Sequence, residues 1–219
     1  MSGPLFKGVP GLIHETEAGY PSMLVAGADE VGRGCLAGPV VAGAVILPAV
    51  VNTQENPWLL EIRDSKQLTP QVRERLAPLI EGWVLASAIG LASVEEIDQI
   101  NIYHASHLAI QRAVELLKLK PHHVLIDGNR TPPQLKSYST AIVKGDVKCL
   151  SIAAASILAK VWRDQKMSEL DQEFPHYGFA QHKGYPTPSH KKALKQQGLS
   201  IHHRRSFKSM FTQLGLPSA

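Results

Sequence analysis

The sequence predicts an α/β fold in which a mixed central sheet is flanked by helices. Two apolar stretches that contain β-branched residues, 23–28 and 37–47, follow each other directly and are typical of neighbouring strands. Farther along the chain, short buried strands alternate with segments of helical periodicity. Adjacent strands followed by interleaved helices favour an α/β fold over separate helical and sheet layers. A composition of 44% hydrophobic residues over 219 residues fits one well-buried core.

The first half of the chain contains three predicted strands and one helix. The first two strands are joined by a turn, DEVGRG (29–34). Pro70 follows Thr69 and begins a helix, because proline suits a first helical position, and Pro78 is expected to kink or end that helix. The apolar stretch 83–93 then predicts the third strand.

The second half alternates helices and strands. Ser93 and Glu96 form a capping box at the start of an amphipathic helix. Two short strands are predicted over 122–127 and 139–146. They precede one long helix over 147–174, whose first turns are rich in small apolar residues and whose end is charged.

The C-terminal region has a different charge from the rest of the chain. All 19 acidic residues lie at or before Glu173, whereas seven Lys and Arg follow it. A basic segment beside an acidic body indicates a polyanionic partner, and a solvated charged surface explains the pattern about equally well. A last helix is expected over 189–197, capped by Gly198. The predicted division is a flexible N-terminal leader over 1–20, a body over 21–173 and a basic helical extension over 174–219.

Several classes of protein are not indicated. Cys35 and Cys149 lie far apart without the spacing of a zinc site or a disulfide scaffold. The first 20 residues lack the apolar core of a signal peptide. The longest apolar stretch, 35–51, is interrupted by glycine and proline and is shorter than the roughly 20 residues that a spanning helix needs. We expect a cytoplasmic monomer without a membrane segment.

The turn after the first strand has two ordinary explanations. Gly32, Gly34 and Gly38 resemble a dinucleotide-binding fingerprint, but that motif must open a helix and these glycines lead into a strand. The second explanation is a plain turn in which Asp29 and Glu30 are solvated and the glycines only supply positive φ.

Carboxylates recur at the ends of the predicted strands, and this recurrence favours a ligand-binding site there. Asp29, Asp127 and Asp146 each follow an apolar strand, at the sheet edge where ligands of α/β proteins bind. Glu30 can share that site with Asp29 only if the strand ends or bulges between them, since successive side chains face opposite ways. Asp146 has an equally good explanation as the N-cap of the long helix.

Carboxylates gathered in one place require a cation. Two charges about 4 Å apart repel by roughly 4 kcal/mol at an effective dielectric constant near 20. Hard oxygen ligands without histidine or cysteine select Mg²⁺ or Mn²⁺ over zinc.

Six motifs, taken in order, resemble those of bacterial ribonuclease HII over about residues 23–210. They are DEVGRG (29–34), DSKQL (64–68), LIDGNR (125–130), VKGD (143–146), SIAAASILAKVWRD (151–164) and FPHYGFAQHKGYPTPSH (174–190). The resemblance implies a ribonuclease H-like fold with a small helical C-terminal extension. It also implies an endonuclease that cuts on the 5′ side of a ribonucleotide in duplex DNA, cuts RNA in RNA/DNA hybrids, and so removes ribonucleotides from DNA.

The resemblance also implies the catalytic residues and the cofactor. Asp29, Glu30, Asp127 and Asp146 would be the catalytic carboxylates and would hold two Mn²⁺ or Mg²⁺ ions. Two such ions about 3.5 to 4 Å apart activate a water and stabilise the leaving 3′ oxygen. The expected products carry a 5′ phosphate and a 3′ hydroxyl.

Five substrate-binding residues follow from the same resemblance: Gly32, Arg33, Gly34, Lys66 and Tyr185. The glycines would let the backbone approach the ribose 2′-hydroxyl, which separates RNA from DNA. Tyr185 would sense the junction between the ribose and the next deoxyribose, and Lys66 would lie near the substrate backbone. Without the resemblance, Tyr185 is a half-buried loop tyrosine, and Asp64 and Ser65 are loop residues that precede a helix. Cys35 departs from the family, in which proline is common at this position.

Two other functions compete with this one. A related metal-dependent nuclease on the same kind of fold would cut branched DNA instead. A non-catalytic nucleic-acid binding module would explain the basic C-terminal region, but its four placed acids would repel phosphate.

Overall fold

A computed structural model describes residues 9–213 and 215, without the side chains of Lys208, Met210 and Gln213, and contains a five-stranded mixed sheet flanked by helices. The strands are β1 (Val25–Val31), β2 (Val40–Ile46), β3 (Ala86–Ala92), β4 (His123–Asp127) and β5 (Ser139–Ile142). The helices are α1 (Ile13–Glu17), α2 (Pro70–Trp83), α3 (Val94–Glu115), α4 (Gly145–Lys148), α5 (Leu150–Glu173), α6 (Phe179–His182), α7 (Pro188–Gln197) and α8 (Lys208–Gln213). The strand order is β3-β2-β1-β4-β5. β1, β2 and β3 pair antiparallel, whereas β4 is parallel to β1 and β5 is parallel to β4, which confirms the predicted mixed sheet.

The sheet is covered on both faces because alternate residues of its strands are apolar. Val25 and Leu125 pack with α2 and α5 on one face, whereas Ala26 and Val124 pack with α3 on the other. Helix α5 lies very close to β1, since a Cβ at Gly27 would come within 2.4 Å of the α5 backbone. The small residues predicted near the start of the long helix therefore let it approach the strand that carries the first two acids.

Some predicted boundaries are wrong. Pro78 does not end α2, which continues to Trp83 because buried Leu76 and Ile80 on either side of the proline hold it against α5. The strand predicted over 139–146 stops at Ile142, since Lys144 has a left-handed backbone (φ 57°) that turns the chain into α4. The long helix consequently begins at Leu150 rather than at residue 147.

The segment before β1 is part of the fold. Gly11 forms a β-bridge with Cys149, and Glu15 is fully buried. Glu15 Oε1 accepts hydrogen bonds from the backbone N–H of Ser151 at 2.9 Å and from its hydroxyl at 2.7 Å. The prediction of a flexible leader is therefore wrong for residues 9–20, and residues 1–8 lie outside the described part. The N-cap residue of α5 is Cys149, and Asp146 lies within α4, so the interpretation of Asp146 as the cap of the long helix is wrong.

Helix α3 contains an interruption that the sequence did not predict. The capping box of Ser93 and Glu96 is present as expected. Asn101, however, has φ 64° and ψ 164°, and its side chain accepts hydrogen bonds from the backbone N–H groups of Tyr103 (2.9 Å) and His104 (3.3 Å). Asn101 thus ends one helical segment and caps the next.

The C-terminal region packs against α5 and against the loop between β1 and β2. Leu36 of that loop packs with Leu194 and Phe211, and Ala37 packs with Met167 and Phe179. Helix α7 ends at Gln197, and Gly198 follows it with φ 72°. The division into a body and an extension stays a prediction. In the described part of the chain, no helix has the length and apolar character needed to cross a bilayer.

Candidate active site

The predicted carboxylates come from three neighbouring strands. Asp29 and Glu30 lie near the carboxyl end of β1, and Asp127 is the last residue of β4. Asp146 lies in α4, shortly after β5. Because β1, β4 and β5 are parallel, their carboxyl ends meet at one edge of the sheet. We call these four residues the carboxylate edge.

Asp29 and Glu30 reach this edge from opposite faces of one strand. β1 pairs with β2 past both residues, so the predicted strand end or bulge between them is wrong. Successive side chains alternate, and accordingly Glu30 but not Asp29 lines a small cavity with Tyr103 of α3. Asp29 lies beside Ser156 of α5. A ligand at the end of the sheet can therefore contact both.

Hydrogen bonds hold Asp127 and Glu30 in place. Asp127 Oδ1 accepts the backbone N–H of Gly145 at 2.7 Å, which ties the end of β4 to α4. Glu30 Oε1 lies 3.1 Å from Nη1 of Arg33, whose side chain is 52% exposed. The glutamate thus orients an arginine that solvent, or a substrate, can reach.

The carboxylate edge carries negative charge that the protein itself neutralises only in part. Burial raises the pKa of Asp29 well above its usual range, and the charges of the other three carboxylates raise it further. Burial also raises the pKa of Glu30, although Arg33 opposes that shift. For Asp146, burial raises the pKa first and the charge of Asp127 second. A bound cation would reverse these shifts.

A fifth acid lies close by. The charge of Asp64 also raises the pKa of Asp146. Asp64 Oδ1 accepts the backbone N–H of Lys66 at 2.9 Å and so shapes the turn that presents this lysine. The sequence had placed Asp64 in the DSKQL motif and in a loop before a helix, but nothing local indicated its proximity to Asp146.

The chemistry of these residues is suited to a hard divalent cation. The donors are all carboxylate oxygens, which Mg²⁺ and Mn²⁺ prefer, and their mutual repulsion is the kind that such an ion relieves. In the part of the chain that the structure describes, no three His, Cys, Asp or Glu side chains stand close enough together to hold one ion. The donors therefore share an edge without forming a closed ligand shell.

One cavity of about 300 Å³ joins most of the predicted site residues. Its lining includes Asp29, Glu30, Gly32, Arg33, Gly34, Lys66, Asp127 and Tyr185. Asp146 is not part of this lining and approaches the other acids from α4. Three of the four acids, the two glycines, the lysine and the tyrosine therefore face a common space.

The turn between β1 and β2 requires glycine at its start. Gly32 has φ 94°, and a Cβ there would lie 2.3 Å from Nε of Arg163. At Gly34 a Cβ would meet nothing within 4 Å, so the cavity side of the loop is open. The backbone of this turn is thus pressed against the protein at one end and accessible at the other.

Tyr185 is held beside the same turn. Its ring centre lies 5.7 Å from Nζ of Lys160, and burial followed by the neighbouring Cys35 raises the pKa of its hydroxyl. Cys35 is fully buried, with Sγ 3.6 Å from the carbonyl oxygen of Lys183. The family-departing cysteine therefore contacts the residue that the resemblance assigned to the sugar junction.

Arg163 and Arg204, which we call the arginine clamp, hold the β1–β2 loop from behind. Both are fully buried. Arg163 donates to the carbonyl oxygens of Pro39 (3.0 Å), Lys183 (2.9 Å) and Ala37 (3.1 Å).

Arg204 reaches the same loop from the C-terminal region. It donates twice to Gly38 O, at 3.0 and 2.8 Å, and once to Arg33 O at 3.0 Å. Both guanidinium groups are enclosed, so these two arginines hold the loop and are not free to contact a substrate phosphate.

The chain matches known proteins along nearly its whole length. The sequence profile of the family Ribonuclease HII matches residues 26–210. This chain belongs to the ribonuclease HII family. The ribonuclease HII of Parabacteroides distasonis is 50% identical over 191 residues, which are 87% of this chain and 93% of the relative.

Solved structures support the same assignment. The ribonuclease H2 of Pyrococcus horikoshii OT3 is 29% identical, with a TM-score of 0.68, and the match covers 88% of this chain and 99% of that one. The ribonuclease HII in a complex with PCNA from Archaeoglobus fulgidus is 25% identical, with a TM-score of 0.69, over 89% and 98% of the two chains.

As a ribonuclease HII, the chain is a ribonuclease H hydrolase with the fold of that family, as the resemblance implied. The interpretation as a non-catalytic binding module is therefore wrong.

Proposed function

We propose that this ribonuclease HII hydrolyses the phosphodiester bond on the 5′ side of a ribonucleotide in duplex DNA, and RNA in RNA/DNA hybrids. The observation that carries the proposal is the single cavity in which carboxylates of the sheet edge face the glycine-rich turn. We propose that its role is the removal of ribonucleotides from DNA, as a monomer in the cytoplasm.

Asp29, Glu30, Asp127 and Asp146 would hold the divalent ions, Mn²⁺ or Mg²⁺, with two present during catalysis. Such ions supply charge neutralisation at the phosphate and a more acidic water. Among the residues of the chain, Asp29 and Asp127 offer carboxylate oxygens to the cavity from β1 and β4. Asp146 acts from α4 beside Asp127.

The turn at Gly32, Arg33 and Gly34 would recognise the ribose. Its open side leaves room for a sugar ring next to bare backbone, where a 2′-hydroxyl can meet peptide groups. Arg33 would neutralise a nearby phosphate, because its exposed side chain is already oriented by Glu30.

Tyr185 and Lys66 would define the opposite wall. The ring of Tyr185 would lie against the deoxyribose that follows the ribonucleotide, and a ribose there would bring a hydroxyl against a buried ring. Lys66 carries its ammonium group on the turn that Asp64 shapes and would contact the substrate backbone.

A labelled duplex with one internal ribonucleotide tests the proposal directly. With Mn²⁺ or Mg²⁺ we expect one cut on the 5′ side of the ribose, and no cut when the divalent ion is chelated. An all-DNA duplex of the same sequence is the substrate control, and cutting it at a comparable rate would refute the assigned specificity. A four-way junction in parallel tests the branched-DNA alternative.

Asp127→Asn is the matched enzyme variant. It removes one charge but keeps an oxygen that can accept the Gly145 N–H. We expect it to bind the ribonucleotide-containing duplex and to lose turnover. A variant that cuts as fast as the wild-type protein would exclude Asp127 as a ligand.

A further inference from the structure

A second groove begins where the carboxylate edge ends. It has a volume of about 600 Å³ and lies between the second segment of α3 and the chain that follows β4. Its lining includes Tyr103, His104, His107, Asn129, Arg130 and Lys136. We call it the α3 groove.

The α3 groove is continuous with the candidate active site. A small cavity between them is lined by Glu30, Arg33 and Asp127, which also line the active-site cavity. The same small cavity shares Tyr103, His107, Asn129 and Arg130 with the α3 groove. One cleft therefore runs from the glycine-rich turn, across Asp127, to the outer end of the groove.

The charge of the α3 groove is opposite to that of the carboxylate edge. Its described lining contains no aspartate or glutamate. Arg130 and Lys136 are exposed, and neither has a hydrogen bond or an ion pair to any described residue. Free cations along a cleft are suited to a polyanion, since an internal acid would otherwise compete for them.

The aromatic side of the groove depends on a strained residue. Asn101 adopts φ 64° and ψ 164°, a region that is almost restricted to glycine and costs about 1 to 3 kcal/mol in other residues. Asn101 caps the second segment of α3, which carries Tyr103 into the lining of the groove. The Tyr103 ring lies 4.5 Å from that of His107 and 5.1 Å from that of His104.

We propose that the α3 groove binds the sugar-phosphate backbone of the duplex beyond the cut site. Arg130 and Lys136 contact successive phosphates, and the face of Tyr103 packs against sugar. The inference rests on the proposed function, because the duplex must first occupy the adjoining cavity. The α3 groove would extend the footprint of the protein on the duplex from the active site in one direction.

The test is the affinity for a fluorescently labelled duplex with one ribonucleotide, measured by anisotropy in EDTA so that no cleavage occurs. The double variant Arg130→Ala/Lys136→Ala should bind about tenfold more weakly, and its slope of log affinity against log salt should be smaller by about 2. Lys118→Ala/Lys120→Ala is the matched control. It removes the same charge from exposed positions that precede β4, at the opposite end of the strand from Asp127.

The direction of the footprint gives a second measurement. Extending the duplex by one helical turn, about ten base pairs, on one side of the ribonucleotide should strengthen binding by the wild-type protein, and extension on the other side should not. The Arg130→Ala/Lys136→Ala variant should lose that gain. Thermal melting of both double variants checks that they fold.

Equal losses in the two double variants would overturn the proposal, because the effect would then be one of net charge. No loss in either would overturn it as well, and would leave the groove open to a protein partner. Failure of the proposed function is distinguishable, because it appears as absent cleavage of the same duplex with Mn²⁺ while the binding measurements stand.

Discussion

The carboxylate edge and the arginine clamp both bury charge, and they do so in opposite ways. Each guanidinium of the clamp donates three hydrogen bonds, all to backbone carbonyl oxygens. The acids of the edge repel one another, and Arg33, a partly exposed side chain, is the cation paired with Glu30. Buried charges that donate to backbone carbonyl groups serve the structure, whereas buried like charges that repel one another need a cation.

The two regions are connected through one loop. The carbonyl oxygens that the clamp binds belong mainly to residues 33–39, the segment that begins in the glycine-rich turn. The clamp therefore stabilises the position from which the turn meets substrate. Substitutions in the two regions should affect activity and stability in different proportions.

The largest effect is expected at Asp29. Asp29→Asn should reduce cleavage of a ribonucleotide-containing duplex by about a thousandfold, since a buried ligand and its charge are lost. The same variant should melt at a higher temperature than the wild-type protein in EDTA, because it removes a buried charge and with it the repulsion with Glu30. Cleavage rates and melting curves check both parts, and a lower melting temperature would contradict the account of unneutralised charge.

The opposite result is expected at the clamp. Arg204→Ala should lower the free energy of unfolding by about 4 kcal/mol, because it leaves the buried carbonyl group of Gly38 and the partly buried one of Arg33 without these donors. Arg205→Ala removes the same charge from the exposed neighbouring position and should change stability by less than about 0.5 kcal/mol. Urea unfolding of the pair measures the difference, and similar values for the two variants would refute the clamp.

Acidic pH should destabilise the C-terminal region around His190 and His203. Burial lowers the pKa of His190 to about 4 and that of His203 to about 3, and their Nε2 atoms lie 3.0 Å apart. Both values lie below the pKa near 6.5 of an unfolded histidine. The contribution of the two neutral histidines to the free energy of unfolding is therefore complete above pH 6.5 and is lost as the pH falls below it.

Between pH 7 and pH 5.5 the free energy of unfolding should fall by about 2 to 3 kcal/mol. Unfolding curves recorded at each pH measure this loss. His190→Gln should flatten the profile, whereas substitution of the exposed His176 should leave it unchanged. A wild-type profile with no slope in this range would show that the pair does not stay neutral.

The smallest effect is expected at Glu15. This buried acid is intermediate between the hydrogen-bonded arginine clamp and the mutually repelling acids of the carboxylate edge. Its Oε1 is hydrogen-bonded by Ser151, while its Oε2 has no hydrogen-bond partner. Burial raises the pKa of this carboxyl, so a neutral side chain is suited to the site. Glu15→Gln should cost less than about 1 kcal/mol of stability, and Glu15→Ala about 2 kcal/mol, since only the second removes the acceptor at the start of α5. Equal losses by urea unfolding would show that the charge itself matters.

Much of the fold followed from local patterns. Alternating apolar residues indicated the strands, and the capping box of Ser93 and Glu96 indicated the start of α3, because both depend on residues close in sequence. The same patterns could not locate the break at Asn101 or the continuation past Pro78. Each of these depends on packing that offsets a local cost.

The order of residues places acids at the ends of strands, and the resemblance to ribonuclease HII assigns those acids to a single site. Which buried charges find hydrogen-bond partners depends on the folded chain. Arg163 lies on a stripe of α5 with Ala159 and Met167, a helical spacing that could have indicated burial. Its partner Pro39, however, is 124 residues away, and Arg204 meets Gly38 across 166 residues. A hydrogen bond between such distant groups exists only after the chain has folded, so no local pattern encodes it.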